Sequence, residues 1–138
     1  MDSLIVERKL ESLRRCINRV EQKRPDSIAT LETDPDIQDI LVLNLSRAVQ
    51  LCVDIAAHVL LDYETLPPNT MGETFDRLAD LKLIEPELRD NLKRSVGFRN
   101  MAVHNYDVLD WRIVYAIATR QLEDFTRFAA AVTPLLNH

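Results

Sequence analysis

The segment 35–61 constrains the fold of this chain most, because it is apolar on more than one side. Its apolar residues recur at helical spacing in two stripes: a main stripe of Ile37, Ile40, Leu41, Ala48, Leu51, Cys52, Ile55 and Val59, and a second one of Val42, Val49, Val53 and Leu60. A helix that is apolar on two sides either runs through the middle of a bundle or also faces a partner subunit. Asp34 and Pro35 supply an N-cap and a first-turn proline, so this helix is predicted to begin there.

The rest of the chain carries helical patterns as well. A first helix is predicted over residues 2–23, a short one over 70–81, a third long one over 86–105 and a last one over 111–132, while residues 26–33 are expected to form a loop or a single helical turn. Glycine occurs only twice in 138 residues, which suits helices closed by proline and asparagine rather than a sheet with many tight turns. We therefore predict an all-α bundle of four long helices plus one short helix, forming a single domain over residues 1–138.

Two helices have polar sides whose role the pattern leaves open. The first helix carries four charged residues opposite its apolar stripe: Arg8, Glu11, Arg15 and Arg19. We expect these residues to form a solvated face. The polar side of the second long helix includes Arg47, Asp54 and His58. These three residues form either a solvated stripe or the wall of a cleft, and the solvated stripe is slightly favoured.

Charge and cysteine content exclude several classes of protein. The net charge of −5 argues against a protein that coats nucleic acid nonspecifically, because such binding depends on neutralising phosphates. Cys16 and Cys52 lie far apart in apolar patterns, as expected of buried, reduced thiols in a cytoplasmic protein. No uninterrupted apolar run approaches the ~20 residues that cross a bilayer, so no membrane segment is expected. The sequence also lacks the motifs of metal, nucleotide-phosphate and dinucleotide sites, and we expect no metal and no cofactor.

The densest group of side chains with chemical potential is Arg99, Asn100, His104 and Tyr106. At about 100° per residue, Asn100 and His104 share a helix face, whereas Arg99 and His104 are roughly 140° apart on a regular helix. We therefore expect the helix to fray or turn near His104, which would bring the imidazole toward the guanidinium. Gly97 is costly inside a helix, and it indicates that another backbone or a ligand comes close there.

An arginine and a histidine together are enough to cleave RNA. A guanidinium binds phosphate and stabilises the charge that builds on it, and a histidine with a near-neutral pKa can accept or deliver a proton. RNA carries its own nucleophile in the 2′-hydroxyl group. The pair lacks a second acid–base residue, and two copies brought together in a dimer could complete the site. The plainer interpretation, a polar helix end without chemistry, fits the same residues.

The run of residues 98–106, Phe-Arg-Asn-Met-Ala-Val-His-Asn-Tyr, resembles the Arg-Asn-x-x-x-His-x-Tyr signature of HepT-like HEPN ribonuclease toxins. The similarity extends over residues 37–111. It implies a HEPN-type helical bundle that acts as a homodimer, with two Arg-His motifs facing each other across a cleft. It further implies a metal-independent endoribonuclease that cuts RNA by 2′-hydroxyl attack. Such a protein is the toxin of a type VII-like toxin–antitoxin pair, and its partner is an MntA-like nucleotidyltransferase.

The resemblance also implies a role for each residue of the motif. Arg99 and His104 would be the catalytic pair, and Asn100 would orient the site. Tyr106 matches the tyrosine to which the antitoxin adds AMP, and adenylates there would put bulk and negative charge where the RNA phosphate must sit. The alternative is a noncatalytic HEPN partner, a nucleotide-binding subunit of the nucleotidyltransferase.

Overall fold

The computed structural model describes residues 1–136, and these residues form seven α-helices and no strand. The helices are α1 (Ser3–Lys23), α2 (Ile28–Thr33), α3 (Pro35–Leu60), α4 (Met71–Asp80), α5 (Pro86–His104), α6 (Trp111–Ala118) and α7 (Glu123–Val132), with 3-10 turns at Tyr106–Val108 and Thr133–Leu135. The predicted all-α bundle is confirmed. Asn137 and His138, the last two residues of the predicted domain, lie outside the described residues.

Helix α3 runs through the middle of the bundle, as its two apolar sides predict. It packs against α1, α4, α5, α6 and α7, and eleven of its residues are buried. Its length and apolar composition would also suit a membrane span, but its buried residues belong to one continuous core that all the other helices share. The side chain of Asp34 caps the helix and accepts hydrogen bonds from the N–H groups of Asp36 and Ile37, at 3.0 and 3.2 Å.

Helix α1 lies alongside α3 in the opposite direction. Lys9, early in α1, lies 3.6 Å from Asp54, late in α3. The apolar stripe of α1 is buried at Val6, Leu13 and Val20, each with no exposed surface. One flank of α1 beside this stripe, which carries Ser12, Arg15 and Arg19, forms one wall of a groove along α3.

The final third of the chain departs from the prediction. The single last helix predicted over residues 111–132 was wrong, because α6 ends at Ala118 and α7 begins at Glu123. The Thr119 hydroxyl donates to the Tyr115 carbonyl at 2.6 Å, and the Gln121 N–H donates to the Ala116 carbonyl at 3.0 Å, a pattern that closes a helix. Residues 26–33 also contain a true short helix, α2, rather than a loop or a single turn.

The break lets α7 turn its aromatic side into the core. Phe128 packs edge-on against Phe75 of α4, with ring centroids 6.0 Å apart, and neither ring has exposed surface. Edge-to-face aromatic pairs add to the stability gained by burying the rings. This contact therefore fixes α7 against α4, after the break that separates α6 from α7.

We predict that Phe128→Ala lowers the free energy of unfolding by about 3–5 kcal/mol, because it removes a fully buried ring and leaves a cavity. Denaturant unfolding followed by circular dichroism measures this change. Leu66→Ala is the matched control, since Leu66 is 73% exposed, and it should shift the same quantity by no more than about 0.5 kcal/mol. A Phe128→Ala protein as stable as the control would contradict this view of the core.

Candidate functional site

Helix α5 stays regular until its last residue. It ends at His104, and the chain leaves the helix at Asn105, whose φ and ψ are −153° and 56°. The Asn105 N–H still donates to the Met101 carbonyl at 2.8 Å. The expected turn near His104 is therefore present, but it begins at Asn105, so His104 itself is still helical. Arg99 and His104 remain roughly 140° apart around the helix axis.

The side chains at this helix end differ in their surroundings. Arg99 is half-buried, and its Nη1 donates to Asn100 Oδ1 at 3.3 Å, so the amide holds one side of the guanidinium. Asn100 and His104 are exposed. Within residues 1–136, no carboxylate pairs with Arg99, and the His104 imidazole has no hydrogen-bond or ion-pair partner. Both groups are therefore available to a ligand.

Tyr106 is held in place by two contacts from different parts of the chain. Its hydroxyl donates to Asp39 Oδ1 of α3 at 2.6 Å, and its ring packs edge-on against Trp111, with centroids 6.1 Å apart. Partial burial, followed by the Asp39 hydrogen bond and charge, raises the pKa of Tyr106 to about 12. The hydroxyl therefore stays protonated at neutral pH and is oriented by a carboxylate.

Asp39 was not among the predicted site residues. Its partner Tyr106 lies 67 positions further along the chain, and no spacing rule links the two. The only signal was an acidic residue in the first turns of a long apolar helix. Such residues also occur as ordinary N-terminal charges that complement the helix dipole.

A groove between α1 and α3 contains one of the three residues proposed as a cleft wall. It has a volume of about 710 Å³, and Arg47 lines it together with Arg15 and Arg19 of α1. Asp54 and His58 do not line it. The carboxylate of Asp54 instead accepts a hydrogen bond from Gln50 at 2.9 Å and lies 3.6 Å from Lys9.

A second, mostly apolar groove runs between α5 and α6 on the other side of the α5 end. It has a volume of about 560 Å³ and is lined by Gly97, Phe98, Met101, Val108 and Ile113, among others. A Cβ atom added at Gly97 would meet nothing within 4 Å in the described chain. The sequence predicted that another backbone or a ligand comes close to Gly97. Within one copy of the described chain, no backbone does so.

The arrangement can bind a phosphate and move a proton. Among the described residues it presents a guanidinium and an imidazole without carboxylate partners, and two residues after the imidazole a tyrosine hydroxyl whose acceptor is a carboxylate. Among residues 1–136, no group of three or more His, Cys, Asp or Glu side chains is arranged to hold a metal ion. Asn100, which the motif assigns to orienting the site, is the residue that touches Arg99.

Comparisons with known proteins match almost the whole chain. A family model described as ribonuclease HepT-like matches residues 10–132. The mRNA nuclease HepT of Shewanella oneidensis is 38% identical over 128 residues, which are 93% of this chain and 95% of that protein. The tRNA nuclease HepT of Aphanizomenon flos-aquae is 24% identical over 136 residues, which are 99% and 92% of the two chains.

Solved structures agree with this match. The tri-AMPylated HEPN toxin of Shewanella oneidensis, solved in complex with an MNT antitoxin, superposes with a TM-score of 0.88 at 35% identity, over 97% of this chain and 98% of that one. A toxin–antitoxin complex with AMP-PNP superposes with the same TM-score and identity, over 94% and 98% of the two chains. The cytosolic Bacillus subtilis protein YutE, 15% identical with a TM-score of 0.85, shares the fold.

We predict that Asp39→Asn lowers the pKa of Tyr106 from about 12 toward the ordinary value of 10, because it removes the negative charge beside the hydroxyl. Ultraviolet titration of tyrosinate, with Tyr106→Phe to assign the signal, measures this pKa. In the unchanged protein, the raised pKa favours the folded state below about pH 10, and this contribution is lost as the pH rises to about 12. An unchanged titration in Asp39→Asn would contradict the role given to the carboxylate.

Proposed function

The chain belongs to the HepT-like ribonuclease family, and from this premise we propose that it is the RNA-cleaving toxin of a bacterial toxin–antitoxin pair that acts in the cytoplasm. The observation that carries the proposal is the end of α5. There, Arg99 and His104 stand without carboxylate partners among the described residues. Nuclease activity is also the named property of both curated relatives.

The chemistry uses the nucleophile that RNA carries. His104 accepts the proton of a 2′-hydroxyl group, whose oxygen forms a bond to the adjacent phosphorus, while the bond from phosphorus to the 5′-oxygen breaks. The 5′-oxygen leaves with a proton delivered by a second acid. Arg99 stabilises the negative charge that builds on the phosphoryl oxygens. No metal-activated water is needed, because the 2′-hydroxyl replaces it.

A second copy of the chain would supply the second acid. The motif has a single histidine, His104, so one copy alone brings only one imidazole to the phosphate. In a twofold-symmetric homodimer, the same helix end of each copy faces its equivalent. The two His104 side chains could then act as base and acid in a single cleft.

Tyr106 is the proposed site of neutralisation by a nucleotidyltransferase antitoxin of the MntA type. Tyr106 is half-buried, its hydroxyl is oriented by Asp39 at 2.6 Å, and the related Shewanella toxin is tri-AMPylated. In the transfer, the Tyr106 oxygen bonds to the α-phosphorus of an adenine nucleoside triphosphate and pyrophosphate leaves. Asp39 takes the phenolic proton, because a pKa of about 12 leaves only about one tyrosinate per 10⁵ molecules at pH 7.

A second candidate function is a noncatalytic subunit that binds nucleotides or the transferase. It is favoured by the solved relatives, which are complexes of toxin with antitoxin. Such a subunit would form a stable complex, would leave RNA intact and would be harmless when produced alone. The measurement of RNA cleavage separates the two functions.

We predict that the purified chain cleaves RNA in excess EDTA. Arg99→Ala and His104→Ala should each lower the rate about 10²–10⁴-fold, since each removes one role in the transition state. Gel analysis of a labelled RNA measures the rate, and Arg8→Ala serves as a control arginine on the exposed face of α1. Cleavage that requires added metal, or that survives both active-site changes, is incompatible with this mechanism.

The same assay tests the second copy. A tenfold excess of His104→Ala chain, allowed to exchange subunits with the unchanged chain, should lower the activity about tenfold, since few dimers then keep two imidazoles. Independent sites would leave the activity of the unchanged chains as it was. No loss of activity after exchange would therefore exclude the shared site while leaving the nuclease itself intact.

We predict that Asp39→Asn slows AMP transfer to Tyr106 and changes its pH dependence. Without the carboxylate, the reaction needs tyrosinate, so the rate relative to the unchanged chain should rise about tenfold per pH unit between pH 7 and 9. Mass spectrometry of the chain with antitoxin and ATP measures this ratio. Asp107→Asn, an exposed acid beside Tyr106, is the control and should give a ratio near one throughout. A flat ratio for Asp39→Asn would remove the proposed proton acceptor.

A further inference from the structure

The groove between α1 and α3 concentrates positive charge in an acidic protein. We call it the arginine groove, after Arg15, Arg19 and Arg47, and none of its lining residues is Asp or Glu. Within residues 1–136, Arg19 and Arg47 have neither a hydrogen-bond nor an ion-pair partner, and Arg15 has only weak ones, Glu11 at 3.6 Å and the Ser12 hydroxyl at 3.1 Å. The net charge of the chain is −5, so this grouping is local.

The arginine groove also has apolar lining residues. Ile40, Leu43 and Leu51 of α3 line it, and Leu43 is 49% exposed. Guanidinium groups bind phosphate through paired hydrogen bonds and stack on the flat faces of bases. Apolar side chains beside them give riboses and bases a surface to pack on. This combination suits a single-stranded ribonucleotide better than a small inorganic anion, which makes no apolar contacts.

Along α3, one end of the arginine groove adjoins the residue that holds Tyr106. Asp39, which accepts the hydrogen bond of the tyrosine hydroxyl, precedes the lining residue Ile40 directly and Leu43 by one helical turn. Arg47 lies eight residues after Asp39, which is about 12 Å along the axis at 1.5 Å per residue. Because α1 and α3 are antiparallel, Arg19 lies toward the Asp39 end and Arg15 further away.

We propose that the arginine groove binds a short single-stranded run of ribonucleotides that starts at Tyr106, and that substrate RNA and the adenylates added to Tyr106 share it. The second half of this inference rests on the proposed function, whereas RNA binding by the groove does not require cleavage. Adenylates attached to the Tyr106 oxygen are themselves ribonucleotides. They would occupy the groove in place of the substrate strand, so neutralisation would act by competition for the arginines.

The test compares two pairs of substitutions with the same change in charge. Arg19→Gln with Arg47→Gln alters the groove, and Arg8→Gln with Arg14→Gln alters other faces of α1. Each pair is placed in the full-length chain carrying His104→Ala, so that bound RNA is not cut. Fluorescence anisotropy with a short labelled single-stranded RNA measures Kd at several salt concentrations, and unchanged thermal melting shows that each chain is folded.

The groove pair should weaken RNA binding at least about tenfold and make the slope of log K against log salt about 1.4 less negative, since each phosphate contact on a single strand contributes about 0.7. The control pair should change neither quantity. A free trinucleotide of adenylate should compete with RNA for the unmodified chain. After enzymatic addition of adenylates to Tyr106, the chain should bind the labelled RNA at least about tenfold more weakly.

Three results would overturn the proposal. Equal weakening by both pairs would mean that only the overall charge matters. A groove pair that binds RNA normally but no longer binds the antitoxin would make the groove a protein-docking surface. Undiminished RNA binding after modification of Tyr106 would exclude shared occupancy. None of these results requires the chain to cleave RNA, so a chain that proves unable to cut RNA would refute the proposed nuclease without deciding this question.

Discussion

The burial of α3 on two sides is the constraint on which the rest of the structure depends. Eleven of its residues lie in the core, and the surrounding helices are arranged to cover them. Only a narrow strip of α3 remains for polar residues. That strip carries Asp39 at one end and Arg47 two turns later, in positions that a mobile surface helix could not hold fixed.

This arrangement gives one rigid helix a part in both proposed activities. Asp39 orients the tyrosine proposed to receive AMP, and Arg47 lines the groove proposed to bind RNA. The two positions are about 12 Å apart along the same axis, so neither can shift without the other. The end of α5 contributes the side chains proposed to react with RNA, Arg99 and His104. Helix α3 contributes Asp39 and Arg47 at fixed positions.

Features that depend on local sequence were predictable, and contacts between distant segments were not. The caps at Asp34 and Thr70 and the start at Pro86 follow from residue chemistry alone, and the structure has all three. The break after Ala118 was missed, because the apolar pattern continues across it while the Thr119 hydroxyl closes the helix. The pairing of Asp39 with Tyr106 spans 67 positions and has no sequence signature.

The surroundings of the α1 arginines were also not predictable from the local sequence. A stripe of Arg and Glu on a helix has the pattern of a solvated face, and that was the expectation for Arg15 and Arg19. What distinguishes them is the surface opposite, where α3 offers Arg47 and an exposed Leu43 and no acid among the lining residues. Helical periodicity predicts which face of one helix is polar, but it does not predict which residues of a second helix lie opposite that face.

The contact between Asp39 and Tyr106 also affects where an adenylate added to Tyr106 would lie. While the hydroxyl is free, it donates to the carboxylate and the pair is attractive. Once an adenylate replaces that proton, the donor is gone and a phosphodiester anion faces the carboxylate at close range. Like charges at such a distance repel, whereas Arg19 and Arg47 of the arginine groove have no ion-pair partner among the described residues and can attract the adenylate. Attraction and repulsion thus act together, and they favour an adenylate that lies along the path proposed for the RNA.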